Sequence, residues 1–265
     1  MNDARVRVSI VIPAYNEERH LRPCLEAIAA QTVQPYEVIV VDNDSTDKTA
    51  GIAQSFPFVR LVSEAQQGIV FARNAGFNAA TGDIIGRIDA DIELPSNWVA
   101  HVQQFYADPA HSSTAWTGCG SFYNVRLPRL VSWAYVFVAF RVNKLLLGHY
   151  TLWGSSMAIT ASHWQDVGSS VCLRTDIHED LDLAIHLANA GYPIVYDSSI
   201  KVKAELRRVH SDRHKLWDYL GWLPRTLRIH HKKAWPITWF VGVFLLYQAA
   251  QFLAGVDYLA KKIRR

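Results

Sequence analysis

The stretch Val6-Arg7-Val8-Ser9-Ile10-Val11-Ile12-Pro13-Ala14-Tyr15-Asn16-Glu17-Glu18 decides how the rest of the chain is read. Residues 6–12 are mostly β-branched and fit a buried strand, which Pro13 is expected to end because proline cannot donate to a sheet ladder. A polar segment comes next. Beyond it Leu21, Cys24, Leu25 and Ile28 recur at helical spacing, with Asn16 as a candidate cap. Pro23 would be awkward deep inside that helix, so its regular part is expected to start near His20.

Outward from there, the pattern repeats. Residues 37–41 read as a strand, 46–55 as a helix, 59–62 as a strand, 69–80 as a helix and 83–88 as a strand. Strand–helix–strand alternation at this spacing implies an α/β fold with a parallel sheet and right-handed crossovers. The Asx-rich segments come directly after the strands, where open α/β sheets place ligands. After Leu94 the alternation becomes irregular. Residues 115–123 read as a strand, and 130–147 as an apolar helix carrying Arg141 and Lys144. Residues 178–190 form a helix with Leu181, Ala184, Ile185 and Ala188 on one face, stopped by Gly191 and Pro193, and residues 193–196 read as a last core strand.

The chain has 265 residues, half of them hydrophobic, which is ample for a full core. Its net charge of +3 lacks the dense basic face, interleaved with aromatics, of a nucleic-acid binder. The positive charge gathers late, at Arg207-Arg208, in residues 225–233 and at the closing Lys261-Lys262-Ile263-Arg264-Arg265, as a solvated face or a membrane-surface patch. Cys24, Cys119 and Cys172 have no paired spacing, so neither a zinc site nor a disulfide framework is expected, and reduced thiols suit a cytosolic compartment. The N-terminal apolar run is too short for a signal peptide. Residues 237–256 carry no charge and are long enough to cross a bilayer. Gln248, Gln251 and basic residues at both ends favour in-plane membrane association or packing on a partner over a span.

Four clusters carry chemistry. The first, residues 12–18, puts an aromatic ring and polar groups at a strand end, as base stacking and ribose binding require, although a cap and turn explain Asn16 and Glu17 equally well. The second, Val41-Asp42-Asn43-Asp44-Ser45-Thr46-Asp47, offers acceptors and an amide to a nucleobase edge, while Ser45 or Thr46 would serve simply as a helix cap. The third, Arg87-Ile88-Asp89-Ala90-Asp91, ends a buried strand with two carboxylates that can hold a divalent ion. The fourth, His178-Glu179-Asp180, opens a helix, where acidic residues suit the helix dipole and a carboxylate can also act as a general base.

These clusters, with Ala72-Arg73-Asn74-Ala75-Gly76, Thr81-Gly82-Asp83 and His178-Glu179-Asp180-Leu181-Asp182-Leu183, occur in an order that resembles the family 2 glycosyltransferases of the GT-A fold, over roughly residues 6–210. The resemblance implies a Rossmann-like, mostly parallel central sheet flanked by helices, here with a C-terminal hydrophobic helical tail. It implies a catalytic domain over 1–233, with a donor-nucleotide half to about 95 and an acceptor half beyond it, and then the tail at 234–265. Pro13, Ala14, Tyr15 and Glu17 would line the donor nucleotide with Asp42 and Asn43, and Arg73 and Asn74 would lie near the nucleotide or diphosphate. Asp89 would touch ribose or metal, and Asp91 would ligate Mg2+ or Mn2+. Asp180, with Glu179 beside it, resembles the catalytic base of an inverting transfer, and Trp153, Gly154, Ser155 and Ser156 resemble the loop that closes over donor sugar and acceptor.

The second motif departs from the frequent Asp-Asp-Gly-Ser at Asn43, whose amide both donates and accepts and so does not single out one base; a UDP-sugar is favoured, with GDP- and dTDP-sugars open. A late histidine ligand is sought at His210 or His214. The expectation is a transferase on the cytoplasmic face of a membrane, peripheral or with one C-terminal span, acting on a glycan or lipid-linked acceptor of the kind used in cell-envelope polysaccharide assembly. An apolar tail also packs on a copy of itself, which keeps a homo-oligomer open. The chain lacks the Gly-rich phosphate loop of a nucleotidyltransferase after its first strand. A non-catalytic, GT-A-like scaffold subunit is the other reading, and it gives no chemical reason to keep Asp89, Asp91 and Asp180 together.

Overall fold

The computed structural model describes residues 6–123, 128–205 and 213–231. Its strands are β1 (Val8–Ala14), β2 (Glu37–Asp42), β3 (Val59–Ser63), β4 (Ile84–Arg87), β5 (Ala115–Phe122), β6 (Met157–Thr160) and β7 (Ile194–Ala204). They form one seven-stranded sheet in the order β3-β2-β1-β4-β6-β5-β7. The reversed strand is β6, antiparallel to both β4 and β5, while the other neighbouring pairs run parallel.

A parallel sheet must be covered on both faces, and β1 shows how. Val8, Ile10 and Ile12 pack with Leu21, Cys24, Leu25 and Ile28 of α1 (Leu21–Ala29) and with Trp98 and Val102 of α4 (Trp98–Ala107). Val11, on the opposite face, packs with Ala72 and Phe77 of α3 (Ile69–Ala79) and with Leu183 and Leu187 of α8 (Glu179–Asn189). Gly76 makes that contact close: a Cβ there would lie 2.3 Å from Val11 Cγ1.

Several boundaries shift for physical reasons. Pro13 lies within β1 rather than ending it, because β4 is laddered to β1 only as far as Val11 and the proline is paired with β2 alone. Pro23 is the third residue of α1, in the first turn where the missing N–H costs no bond. The second helix, α2 (Thr49–Gln54), starts later than expected, and β7 runs well past residue 196 to pair with β5.

The second half also contains elements that the apolar pattern did not announce: α4, β6, α7 (Ala161–Val167) and α9 (Arg213–Ile229). Helix α9 closes over α8, with Leu223 and Leu227 against Leu181 and Ile185. The expected apolar helix is present as α5 (Pro128–Val136), a π-helical turn Phe137–Val142 and α6 (Asn143–Leu147). Its 20 residues have mean hydropathy 1.5 over the most apolar window, of which 6% is buried. His210, the tail at 234–265 and its uncharged stretch lie outside the described residues.

The strand order sets the position of any ligand. From β1 the chain moves outward to β2 and β3, then crosses back to add β4 on β1's other side. Such a reversal opens a crevice beyond the carboxyl ends of the two strands. The loops after β1, β2 and β4, which hold the first three sequence clusters, all emerge at that edge.

Candidate active site

The loops after β1 and β2 are sewn to each other. Asn16 takes a left-handed conformation (φ 53°) and its Oδ1 accepts from the Thr46 amide at 2.9 Å, while its own amide donates to Ser45 Oγ at 3.0 Å. The Glu17 amide donates to Thr49 Oγ1 and the Glu18 amide to Asp47 Oδ2. Neither Asn16, Ser45 nor Thr46 caps a helix: α1 begins after His20 and α2 after Lys48. The three residues hold a rigid double loop instead, from which Tyr15 projects with 48% exposure.

Asp42 and Asn43 divide sharply. Asn43 is buried and its amide is fully used: Nδ2 donates to the Glu64 and Gln66 carbonyls at 3.0 and 2.8 Å, and Oδ1 accepts from the Gly68 amide at 2.8 Å. It ties the β2 loop to the start of α3 and presents nothing to a base. Asp42 Oδ1 is a buried acceptor with no hydrogen-bond partner among the described residues. Such a group calls for a donor.

Beneath the crevice lies a buried charge network. Arg87, the last residue of β4, donates from Nη1 to Glu179 Oε1 at 2.7 Å and from Nη2 to Asp89 Oδ1 at 2.8 Å. Arg73 on α3 donates from Nη1 to Glu179 Oε2 at 2.7 Å, and from Nε and Nη2 to Asn74 Oδ1. Burial pushes the Glu179 carboxyl up, while the guanidiniums of Arg87 and Arg73 pull against it. With both oxygens in charge-assisted bonds, Glu179 has a structural task. Arg73, expected beside the diphosphate, is completely buried, and its Nη1 serves Glu179.

The network fixes the acidic groups above it. Asp89 is held on one oxygen by Arg87 and on the other by Ser155 Oγ. The Gly154 amide donates to Asp180 Oδ2 at 3.2 Å, so the 153–156 loop spans from the β4 end to the start of α8. Gly154 rests directly on Arg87: a Cβ there would fall 1.8 Å from Nη1. Asp91 lies half-buried in the turn after β4. Oxygen donors in that turn suit Mg2+ or Mn2+. Asp89 already spends one oxygen on Arg87 and the other on Ser155.

Arg87 is the residue that sequence reasoning left without a role. A charged side chain closing the apolar run Ile84-Ile85-Gly86 was the signal, since a buried charge must be paired. For α9, Tyr219, Trp222, Leu223, Thr226 and Leu227 recur at helical spacing, but Gly221 and Pro224 interrupt the pattern.

The sequence model of glycosyl transferase family 2 matches residues 9–164, more than half of the chain. The chain belongs to that family. Among its relatives, the uncharacterized glycosyltransferase YibD of Escherichia coli is 36% identical over 98 residues, which cover 36% of this chain and 28% of that protein. Glycosyltransferase AglE of Haloferax volcanii is 38% identical over 99 residues, covering 35% and 33%. The aligned region thus spans roughly a third or less of these relatives' length.

Solved structures agree on the fold. Mannosyltransferase PcManGT from Pyrobaculum calidifontis, in complex with GDP-Man and Mn2+, superposes with TM-score 0.63 at 22% identity, covering 99% of this chain and 81% of that one. Staphylococcus aureus TarS 1-349 in complex with UDP-GlcNAc gives 0.60 at 17% identity, covering 81% and 64%. The family 2 chain therefore has the GT-A fold expected of it, a mostly parallel seven-stranded sheet flanked by helices.

Proposed function

We propose that this family 2 chain is an inverting glycosyltransferase that moves a sugar from a nucleoside-diphosphate donor to an acceptor hydroxyl or phosphate. The observation that carries the reading is the Arg87–Glu179 pair. It gathers Asp89, Gly154 and Asp180, from three separate parts of the chain, at the crevice beyond β1 and β4.

The exposed Tyr15 ring stacks on the base, and Asp42 Oδ1, which has no partner among the described residues, accepts a base N–H. Uracil and guanine both present such a donor, in keeping with the UDP-GlcNAc and GDP-Man bound by the neighbouring folds. A UDP-sugar remains the favoured donor, with GDP and dTDP as alternatives. Asp89, fixed by Arg87 and Ser155, faces the ribose, and Asp91 with Asp89 would hold Mg2+ or Mn2+. A divalent ion bound there neutralises charge on the departing diphosphate.

Asp180 takes the proton of the acceptor hydroxyl as its oxygen bonds to the anomeric carbon and the carbon–phosphate-oxygen bond breaks on the opposite face. This single displacement inverts the centre. Gly154 orients the Asp180 carboxylate, and Glu179 positions it from below without touching substrate.

The organisation that fits is a catalytic domain over 1–233 with an appended tail. The exposed helix at 128–147, with Trp133, Phe137 and Leu145 turned to solvent, supports docking on the cytoplasmic face of a membrane and a lipid-linked acceptor.

The test is binding and hydrolysis of a nucleotide-sugar panel with and without Mn2+, for wild type, Asp91→Ala and Asp180→Asn. Metal-dependent binding of one donor, lost in the first variant and kept without turnover in the second, is the expected result. No binding of any donor under any metal condition would return the chain to a non-catalytic scaffold.

A further inference from the structure

Two residues past Asp180, helix α8 carries Asp182, completely buried, and one turn later His186. The loop before the helix brings in Cys172, whose amide donates to Asp182 Oδ2 at 3.0 Å. His230, one residue beyond α9, places Nε2 2.7 Å from Asp182 Oδ1, and the two imidazole rings stand 5.0 Å apart at 80°. One donor atom from each of the four side chains lies within 4.8 Å of every other.

We propose that Cys172, Asp182, His186 and His230 form a four-coordinate Zn2+ site, separate from Asp89 and Asp91. One thiol, two imidazoles and one carboxylate are all ligand types that zinc accepts, and structural sites hold four of them tetrahedrally. Ligand atoms about 2.0–2.3 Å from a zinc ion stand roughly 3.3–3.8 Å from each other, so the cluster needs only a small contraction. His186 Nε2 lies 3.7 Å from Asp182 Oδ1, and it is a buried ring nitrogen without a hydrogen-bond partner among the described residues. Its other nitrogen, Nδ1, is 3.2 Å from Ser170 Oγ, the outer partner that fixes a ligand imidazole with Nε2 aimed at the metal.

The arrangement explains a mixed cluster that the transfer reaction does not use. A zinc ion would displace the Cys172 thiol proton to solvent, while the neutral His230 ring would keep its proton on Nδ1 and offer Nε2 to the metal in place of its present contact with Asp182. It would join the loop at 172, helix α8 and the end of α9, of which the two helices otherwise meet through Leu181, Ile185, Leu223 and Leu227. Helix α8 also carries Asp180, so the ion would anchor the base's helix from behind.

The test uses the tag-free full-length chain, purified without chelator and exchanged into metal-free buffer, with zinc counted by elemental mass spectrometry. About one zinc per chain is expected in wild type and in Asp91→Asn, and background in Cys172→Ser and His230→Gln. Cys172 sits on a partly exposed loop, so its serine variant keeps the test readable where a histidine variant does not fold.

In chelator-stripped wild type, added Co2+ should produce a thiolate-to-cobalt charge-transfer band that Cys172→Ser lacks. Absence of zinc and of the cobalt band in reloaded wild type would overturn the site. So would zinc retained by both variants, or zinc lost in Asp91→Asn alone. None of these readouts depends on sugar transfer, so a failed transferase assay leaves them intact.

Discussion

Arg87 and Glu179, 92 residues apart in sequence, meet in a fully buried ion pair with Nη1 2.7 Å from Oε1. The pair joins the last residue of β4 to the first of α8, and Arg73 completes it from α3. Removing one charge of such a group leaves others buried and uncompensated, at a cost of about 3–5 kcal/mol. Glu179→Gln is expected to lose stability on that scale in urea denaturation. Its kcat should fall far more than its donor KM rises, because Asp180 loses its support while the nucleobase contacts at Tyr15 and Asp42 are untouched. An unchanged kcat would remove Glu179 from any positioning role.

Gly154 tolerates no side chain as the site stands. An alanine Cβ would lie 1.8 Å from Arg87 Nη1 and 2.5 Å from its Cζ, and buried Arg87 has nowhere to retreat. Gly154→Ala should therefore shift the amide that bonds Asp180 and cut turnover by about 100-fold, as misplacing a catalytic group does. Near-normal turnover in a steady-state assay would show that the loop adapts.

Asp42 and Asn43 are adjacent yet should behave oppositely. Asn43→Ala strands a Gly68 amide and two carbonyls, and is expected to cost about 1–3 kcal/mol of stability. Asp42→Ala removes a buried acceptor that has no partner among the described residues, so it should leave stability nearly unchanged and raise the nucleotide Kd by about tenfold. Calorimetric titration with UDP and GDP, alongside melting curves, separates the two. Equal affinity in wild type and Asp42→Ala would take Asp42 out of base reading.

His163 makes stability depend on pH. Its Nδ1 accepts from the Thr160 amide in the capping box of α7, which requires a neutral ring. Burial pushes its pKa down from 6.5 to about 4. Between those values the unfolded chain binds a proton that the folded one refuses. Its share of stability is thus complete above pH 6.5 and declines as pH falls toward about 4. His163→Gln should flatten the melting temperature across that window, and a slope identical to wild type would assign the effect elsewhere.

The helix at 128–147 exposes Leu130, Trp133, Phe137 and Leu145, the last at 85%. Vesicles containing anionic lipid should carry wild type upward in a flotation gradient, and Trp133→Glu with Leu145→Glu should stay at the bottom. Wild type that fails to float, or a double variant that floats equally well, would detach this helix from any membrane role.

The sequence by itself determined the sheet's first half. Residues 6–88 alternate β-branched runs with helical periodicity, and each strand end leads at once into its polar cluster, so local pattern and topology agree. The family resemblance rested on those clusters together with the later motif His178-Glu179-Asp180-Leu181-Asp182-Leu183. Beyond Leu94 the chain was less legible. There β6 runs against its neighbours and β7 depends on pairing with β5 across a long interval, and no local periodicity reports such partners.

Only the tertiary structure decided which polar residues face outward. Asn43 and Arg73 sat in motifs that suggested ligand contact, and both are turned inward because buried carbonyls and a buried carboxylate needed donors. Arg87, given no role by the sequence pattern, became the hub of the site. The cysteines had no paired spacing, yet folding brought Cys172 to Asp182, His186 and His230. Spacing along the chain records ligands that share one element. Ligands drawn from a loop and two packed helices become neighbours only when apolar faces, here Leu181 and Ile185 against Leu223 and Leu227, bring those helices together.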